Sequence, residues 1–151
     1  MDRKVEVGVK LQVPFFDVDP MQVVWHGNYL KYFEIARQAF GSRSRIDIYT
    51  YPQENGFIFP VIRTSCKHVF PLRFGDEFIC KAILREARIK LVFDFEIRLA
   101  ADGKLCARGR SEQVALRYPS MEMELAIPDD VREALWDVES LVPPAMTTEK
   151  R

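Results

Sequence analysis

Residues 17–29, DVDPMQVVWHGNY, hold two aspartates, a proline, a histidine and a Gly-Asn pair within thirteen positions. A strand pattern arrives at Phe15 and Phe16, and Pro20 fixes φ and interrupts any regular ladder. Gly27 then offers a flexible start, and Asn28 a side-chain cap, to a helix beginning near Tyr29. Asp19 and His26 thus flank a short connection that ends at exposed helix N–H groups. Such groups bind an anion, or stabilise an oxygen that is becoming one, so the stretch reads as an active-site loop.

Upstream, Val5, Val7, Val9, Leu11, Val13 and Phe15 are apolar, with Glu6, Gly8, Lys10 and Gln12 between them. That strict period of two predicts a strand with one buried face, ending at Phe15. Downstream, Tyr29, Leu30, Tyr32, Phe33, Ile35, Ala36, Ala39 and Phe40 recur at three and four, which predicts a helix with a broad apolar face. Lys31, Glu34, Arg37 and Gln38 fall on its less buried side, and Gly41-Ser42 should end it before Ile46. A helix this apolar is expected at the centre of a sheet rather than on a surface.

Residues 46–56 contain Tyr51, Pro52, Asn55 and Gly56 and predict a connection with at most a short helical turn. Residues 57–70 form the second strand, bracketed by Pro60 and Pro71, which suit an edge or a bulge. Phe78, Cys80, Ala82 and Leu84 alternate in a third strand, and Leu91, Phe93, Phe95, Ile97 and Leu99 in a fourth. Asp102-Gly103 is a hairpin signal before the fifth, residues 104–118, where Gly109 marks a close approach or bulge. Pro128 opens a short helix with Asp129 and Asp130 in its first turn. The order predicts one α+β domain over residues 1–142, an antiparallel five-stranded sheet wrapped around a long central helix. Residues 143–151, led by two prolines, are expected to be a disordered tail. An exposed sheet edge invites a second copy, so a homodimer is expected.

Composition narrows the function. Lysine plus arginine and aspartate plus glutamate both number 22, so no global field draws nucleic acid or an anionic membrane. Cys66, Cys80 and Cys106 are odd in number, far apart and set in apolar or alternating runs, which argues for small core residues in a reducing compartment. No secretory h-region or membrane-spanning run is seen, and a cytoplasmic, soluble protein is expected. Two distant histidines give no metal-site spacing, and no G-x-S-x-G or phosphate-cradling glycine loop surrounds Gly27.

The run FFDVDPMQVVWHGNYLKYFEIAR resembles the signature of the hotdog-fold acyl-CoA thioesterases related to 4-hydroxybenzoyl-CoA thioesterase, particularly the Tol-Pal-associated subgroup. RFGD, residues 73–76, and the strand order extend the likeness over about residues 5–135. The resemblance implies acyl-thioester hydrolysis at the interface of a homodimer or dimer of dimers, with coenzyme A in the substrate and no cofactor or metal. It places the catalytic carboxylate on Asp19 and the carbonyl-polarising helix amide at or near His26, whose side chain matches the loop histidine of the subgroup. Trp25, Gly27, Asn28 and Tyr29 follow as substrate-binding positions, and Arg88 and Lys90 as contacts to the phosphates of coenzyme A. Gln22 stands where the family usually has glycine, and Phe15 where the subgroup has a tyrosine.

The chemistry agrees. A thiol with a pKa of about 8.5 leaves without a strong general acid, so the site must supply an activated attack and an oxyanion donor. Asp19 suits the first as nucleophile or general base, and the amides of His26 to Asn28 suit the second. Asp17 is expected to order the loop by accepting backbone N–H bonds, Glu34 to be an ordinary helix residue and His68 a structural or surface residue. Trp25, Tyr29 and Phe33 are expected in the core or an interface, with Trp25 a secondary candidate for the acyl pocket. An acyl carrier protein thioester, docked on Arg85, Arg88 and Lys90, is the alternative substrate. A hotdog dehydratase and a non-catalytic acyl-thioester-binding module are the rival functions.

Overall fold

In a computed structural model that describes residues 4–50 and 56–144, the period-two segments become antiparallel strands. They are β1 (Glu6–Gln12), the two-residue β2 (Phe57–Ile58), β3 (Val61–His68), β4 (Glu77–Glu86), β5 (Leu91–Leu99), β6 (Leu105–Gln113) and the short β7 (Leu116–Arg117). Five of them form one sheet in the order β1-β4-β5-β6-β3, while β2 pairs with β7 beside it. Their faces differ in chemistry: Phe78, Cys80, Phe93, Phe95, Ile97 and Ala107 point into the core, and Lys81, Arg85, Asp94, Glu96, Arg108 and Arg110 point out.

Helix α1 (Asn28–Ser42) lies across the inner face, where Tyr29, Tyr32, Phe33, Ala36 and Phe40 are buried. Its rings interlock with the strands. Phe33 stacks on Phe95 at 4.7 Å, Tyr32 tilts against Phe78 at 4.9 Å and Phe40 meets Phe93 edge-on at 5.0 Å. The close approach expected at Gly109 is real, because a Cβ there would sit 2.2 Å from the Phe33 ring. Helix α2 (Asp129–Trp136) follows Pro128 and buries Val131, Ala134 and Leu135.

Several expectations need correction. β1 ends at Gln12, and Phe15–Asp17 is a single 3-10 turn that leaves Phe15 70% and Phe16 74% exposed. The turn rotates Phe15 off the buried face, so the alternation runs on past the strand that carries it. The second predicted strand breaks at Phe59-Pro60 into β2 and β3, and the fifth breaks after Gln113 into β6 and β7. Arg37 is buried rather than on the wet side of α1, paired with Glu34, whereas Leu30 and Ile35 are exposed. One sheet covers one face of this helix, so its broad apolar surface is only partly used within a single chain.

The two outer edges of the sheet differ. Residues 140–141 bind β1, with the Gly8 N–H donating to the Leu141 carbonyl and the Leu141 N–H to that of Glu6. Val142 and Pro143 approach Gly8, and the expected tail beyond residue 144 lies outside the described residues. At the other edge, β3 pairs with β6 alone among the described residues. As the prolines suggested, β3 is an edge strand. All three cysteines are free thiols.

Candidate active site

The loop between β1 and α1 is folded by its own short-range chemistry. Pro20 follows Asp19 in a tight turn, closed by the Gln22 N–H donating to the Asp19 carbonyl at 2.8 Å and the Asp19 N–H to that of Val23 at 2.9 Å. The Asp19 side chain accepts the Met21 N–H on Oδ1 at 2.9 Å, an Asx turn. That is its one hydrogen bond among the described residues, so Oδ2 has none. Val24 donates to Leu72, which pins the loop against the connection between β3 and β4.

Gln22 completes the turn at φ +69°, in the left-handed region. A side chain with a Cβ costs about 1–2 kcal/mol there. Gln22→Gly is expected to raise the denaturant midpoint without changing the slope of unfolding. The net gain is up to about 1 kcal/mol, because added chain entropy in the unfolded state offsets part of the relief. A midpoint that falls would show that contacts of the Gln22 side chain outweigh the strain.

Asp17 orders this loop by a different route from the one expected. Its carboxylate is 3% exposed and binds side chains, Lys31 Nζ at 2.7 Å and the Tyr32 hydroxyl at 2.6 Å. Burial, and then the hydrogen bond to Asp17, hold the Tyr32 phenol protonated by pushing its pKa well above the usual value. The carbonyl of Asp17, not its side chain, takes the backbone bond from Trp25, and the Asn28 amide nitrogen at 2.9 Å. Asn28 therefore does not cap α1. Gly27 occupies the cap position, and no side chain caps it.

That leaves the start of α1 open. The amides of Asn28 and Tyr29 are closed onto the carbonyls of Trp25 and His26, whereas those of His26 and Gly27 have no hydrogen-bond partner among the described residues. Gly27 also makes room for Trp25, since a Cβ there would lie 2.1 Å from its indole. Trp25 is 51% exposed, not core, and its ring sits 5.1 Å from that of His26.

Asp19, His26 and Tyr29 line one cavity of about 220 Å³, together with Met21, Val23, Val24, Val69, Phe70, Pro71 and His68. The Tyr29 hydroxyl accepts the Leu72 N–H at 3.1 Å, and burial is the main cause that raises its pKa, so it stays a phenol. His68 is exposed, as expected of a surface residue, and it also lines the cavity from the end of β3, with its ring 4.7 Å from Tyr29 and 6.3 Å from His26. The signal was available: His68 shares the parity of Cys66, which packs on the core. The cavity holds a carboxylate and two imidazoles, and the His26 and Gly27 amides, unpaired among the described residues, start the helix at its wall; such groups can attack an activated carbonyl and hold the charge that develops on its oxygen.

A family profile described as the Thioesterase-like superfamily matches residues 13–135. The chain belongs to this superfamily. Its sheet wrapped on one helix is the hotdog fold, and its enzyme class is thioester hydrolase. Among solved structures, the thioesterase-like chain is similar to Slr0204, a 1,4-dihydroxy-2-naphthoyl-CoA thioesterase from Synechocystis. The TM-score is 0.77, with 21% identity, 88% of this chain and 97% of that one covered. A hypothetical protein from Thermus thermophilus, TT1821, gives a TM-score of 0.75 at 27% identity, covering 91% of this chain and all of that one. An aspartate-to-asparagine mutant of 4-hydroxybenzoyl-CoA thioesterase, complexed with 4-hydroxybenzoyl-CoA, gives 0.76 at 17% identity, covering 86% and 98%.

The remaining site candidates of this thioesterase-like chain stand apart from the cavity. Arg88 and Lys90 lie on the β4–β5 turn, at the end of the sheet where β3 begins, whereas His68 ends that strand. Eight residues of strand separate the two ends, about 20 Å or more. Lys90 is held by Glu112 at 2.7 Å, and Arg85 by Asp94 at 2.7 Å. Burial works to raise the Asp94 carboxyl, but hydrogen bonds from Arg110 and Arg85 outweigh it and hold its pKa below the ordinary value. Glu34 is exposed and paired with Arg37, as an ordinary helix residue would be. Among the described residues, no three His, Cys, Asp or Glu side chains gather as metal ligands, and no helix is long and apolar enough to cross a membrane.

Proposed function

We propose that this protein hydrolyses acyl-CoA thioesters to the free carboxylic acid and CoA, with Asp19 as nucleophile or general base. The observation that carries the reading is the meeting of an Asp19 carboxylate bonded, among the described residues, only through Oδ1 with a helix start whose His26 and Gly27 amides have no partner among them. As attack proceeds, the carbonyl oxygen gains charge that those amides can accept, each donor lowering the barrier by about 3–4 kcal/mol. The thiolate then leaves with the electron pair of the C–S bond. The apolar walls, Val23, Val24, Val69 and Phe70, suit the acyl group.

The DVDP loop favours the Tol-Pal-associated subgroup, and an acyl-CoA substrate fits a cytoplasmic location. The edge of β3, unpaired among the described residues and opposite an edge already covered by residues 140–141, supports a homodimer or dimer of dimers joined along β3. In an antiparallel β3–β3 pairing, the end of the sheet that carries the Arg88 turn lies toward the end of the other chain's β3. Coenzyme A is the carrier proposed; with Arg85 and Lys90 engaged by Asp94 and Glu112, Arg88 is the cation of that turn best placed for its phosphates.

Thiol release from short, long and aromatic acyl-CoAs tests the reading, and the wild-type protein should turn over at least one class. Release only from carrier-protein thioesters would replace coenzyme A as the carrier. No release from either, with bound thioester recovered intact, would make the protein a binding module.

A further inference from the structure

We propose that His68 is a further catalytic residue of this site, its Nε2–H holding the water that completes hydrolysis; the inference rests on the thioesterase reading above. His68 is the last residue of β3, so strand geometry rather than the loop sets where its ring lies. Two neighbours touch the ring. Tyr29 meets it nearly perpendicular, at 84° and 4.7 Å, and Cys66 Sγ stands 3.9 Å from Nδ1 on the same face of the strand.

The Cys66 contact suits the tautomer the proposal uses. Burial raises the pKa of the Cys66 thiol, so the sulfur keeps its hydrogen and can donate it weakly to Nδ1. A neutral ring that accepts at Nδ1 carries its proton on Nε2, the nitrogen at the far end of the ring from Cys66. His68 then offers a donor to a cavity whose acceptor is Asp19. Both groups line the same cavity of about 220 Å³, which has ample room for water, and a water shared between them is what the proposal requires. The His26 ring, 6.3 Å away and perpendicular, closes the same space.

A water held this way accepts from Nε2–H and donates to the Asp19 carboxylate, which leaves a lone pair for the acyl carbon. In the general-base route the water O–H bond breaks toward Asp19, the O–C bond forms, and the C–S bond breaks as the thiolate departs. In the nucleophilic route the thiolate has already left. The water then attacks the acyl-aspartyl anhydride, the carboxylate of Asp19 is the leaving group, and the water proton is lost to solvent with the acid. Either route needs one oriented water; His68 donates to it in both, and the free Asp19 carboxylate accepts from it in the general-base route.

Steady-state hydrolysis of the best acyl-CoA by His68→Ala, His68→Gln and His68→Asn, beside wild type and Asp19→Asn, tests the proposal on full-length protein of matched oligomeric state and thermal midpoint. The Ala variant should lose about 10²-fold in kcat with KM within about twofold, as for one lost transition-state donor. Gln, whose amide nitrogen reaches about as far as Nε2, should restore most of the rate, and Asn, whose nitrogen stops near Nδ1, should not. If Ala fails to fold, the Gln–Asn comparison carries the same distinction. An unchanged kcat in Ala, a loss confined to KM, or equal rates in Gln and Asn would overturn the role of His68 while leaving an Asp19-dependent thioesterase standing. A silent wild type would remove both.

Discussion

Asp19→Asn should lower kcat for thiol release by about 10³-fold or more, with little change in KM and none in fold. The size follows from what is removed. A positioned general base contributes about 10²–10⁴, and a nucleophile whose loss disables the whole site costs at least as much. The specificity follows from the local geometry. Oδ1 of Asp19 accepts one hydrogen bond, from the Met21 N–H, and the carbonyl oxygen of Asn can accept the same bond. The turn should therefore survive, with stability within about 0.5 kcal/mol of wild type. Rates on the best acyl-CoA, with circular dichroism and oligomeric mass as controls, check it. An active Asn variant would end the mechanism, whatever the substrate. In wild type, a burst of thiol ahead of acid would mark an acyl-aspartyl intermediate, and coincident release would favour the general base.

Asp17→Ala should show a different pattern, a large loss of stability with activity falling as a consequence. The carboxylate of Asp17 is buried between Lys31 Nζ and the Tyr32 hydroxyl, and Tyr32 is itself 3% exposed. Removing it leaves a buried phenol without its acceptor and an ammonium without its counter-charge, at a cost of about 3 kcal/mol. For a chain of this size that is about 6–12 °C in thermal midpoint. Asp17→Asn should lose less, because an acceptor remains for Tyr32. A drop below about 1 kcal/mol in the Ala variant would mean that water replaces the carboxylate and that this contact does not hold the loop. Together the two aspartates of DVDP separate by role. The one that lines the cavity is expected to act in hydrolysis, and the one that is buried to hold the loop.

Much of this was legible from local pattern. Period two marked the strands, the three-four spacing of Tyr29, Tyr32, Phe33, Ala36 and Phe40 marked the buried stripe of α1, and Asp102-Gly103 marked the β5–β6 turn, with Gly103 at φ +77°. Gly109 announced a close approach without saying to what, and the Phe33 ring supplies the answer. The errors share a cause. Phe15 continues the alternation of β1 in sequence but not in space, since Pro14 and the 3-10 turn after it rotate the chain off the sheet. Leu30 and Ile35 were counted with the apolar face, yet one sheet covers only part of that face. Arg37 looked wet from its charge and is buried, with Glu34 as its ion-pair partner.

The sequence by itself determined the order of the elements, the catalytic candidate Asp19, the helix start at His26–Asn28 and the superfamily, because these rest on neighbours a few residues apart. Only the tertiary structure decided that Asp17 binds side chains 14 and 15 residues away, that the His26 and Gly27 amides are the ones left open, and that His68 joins Asp19 in one cavity. His68 is 49 residues from Asp19 along the chain. Their meeting depends on the β3–β6 register and on Val24 being tied to Leu72, contacts between distant segments that local periodicity does not encode.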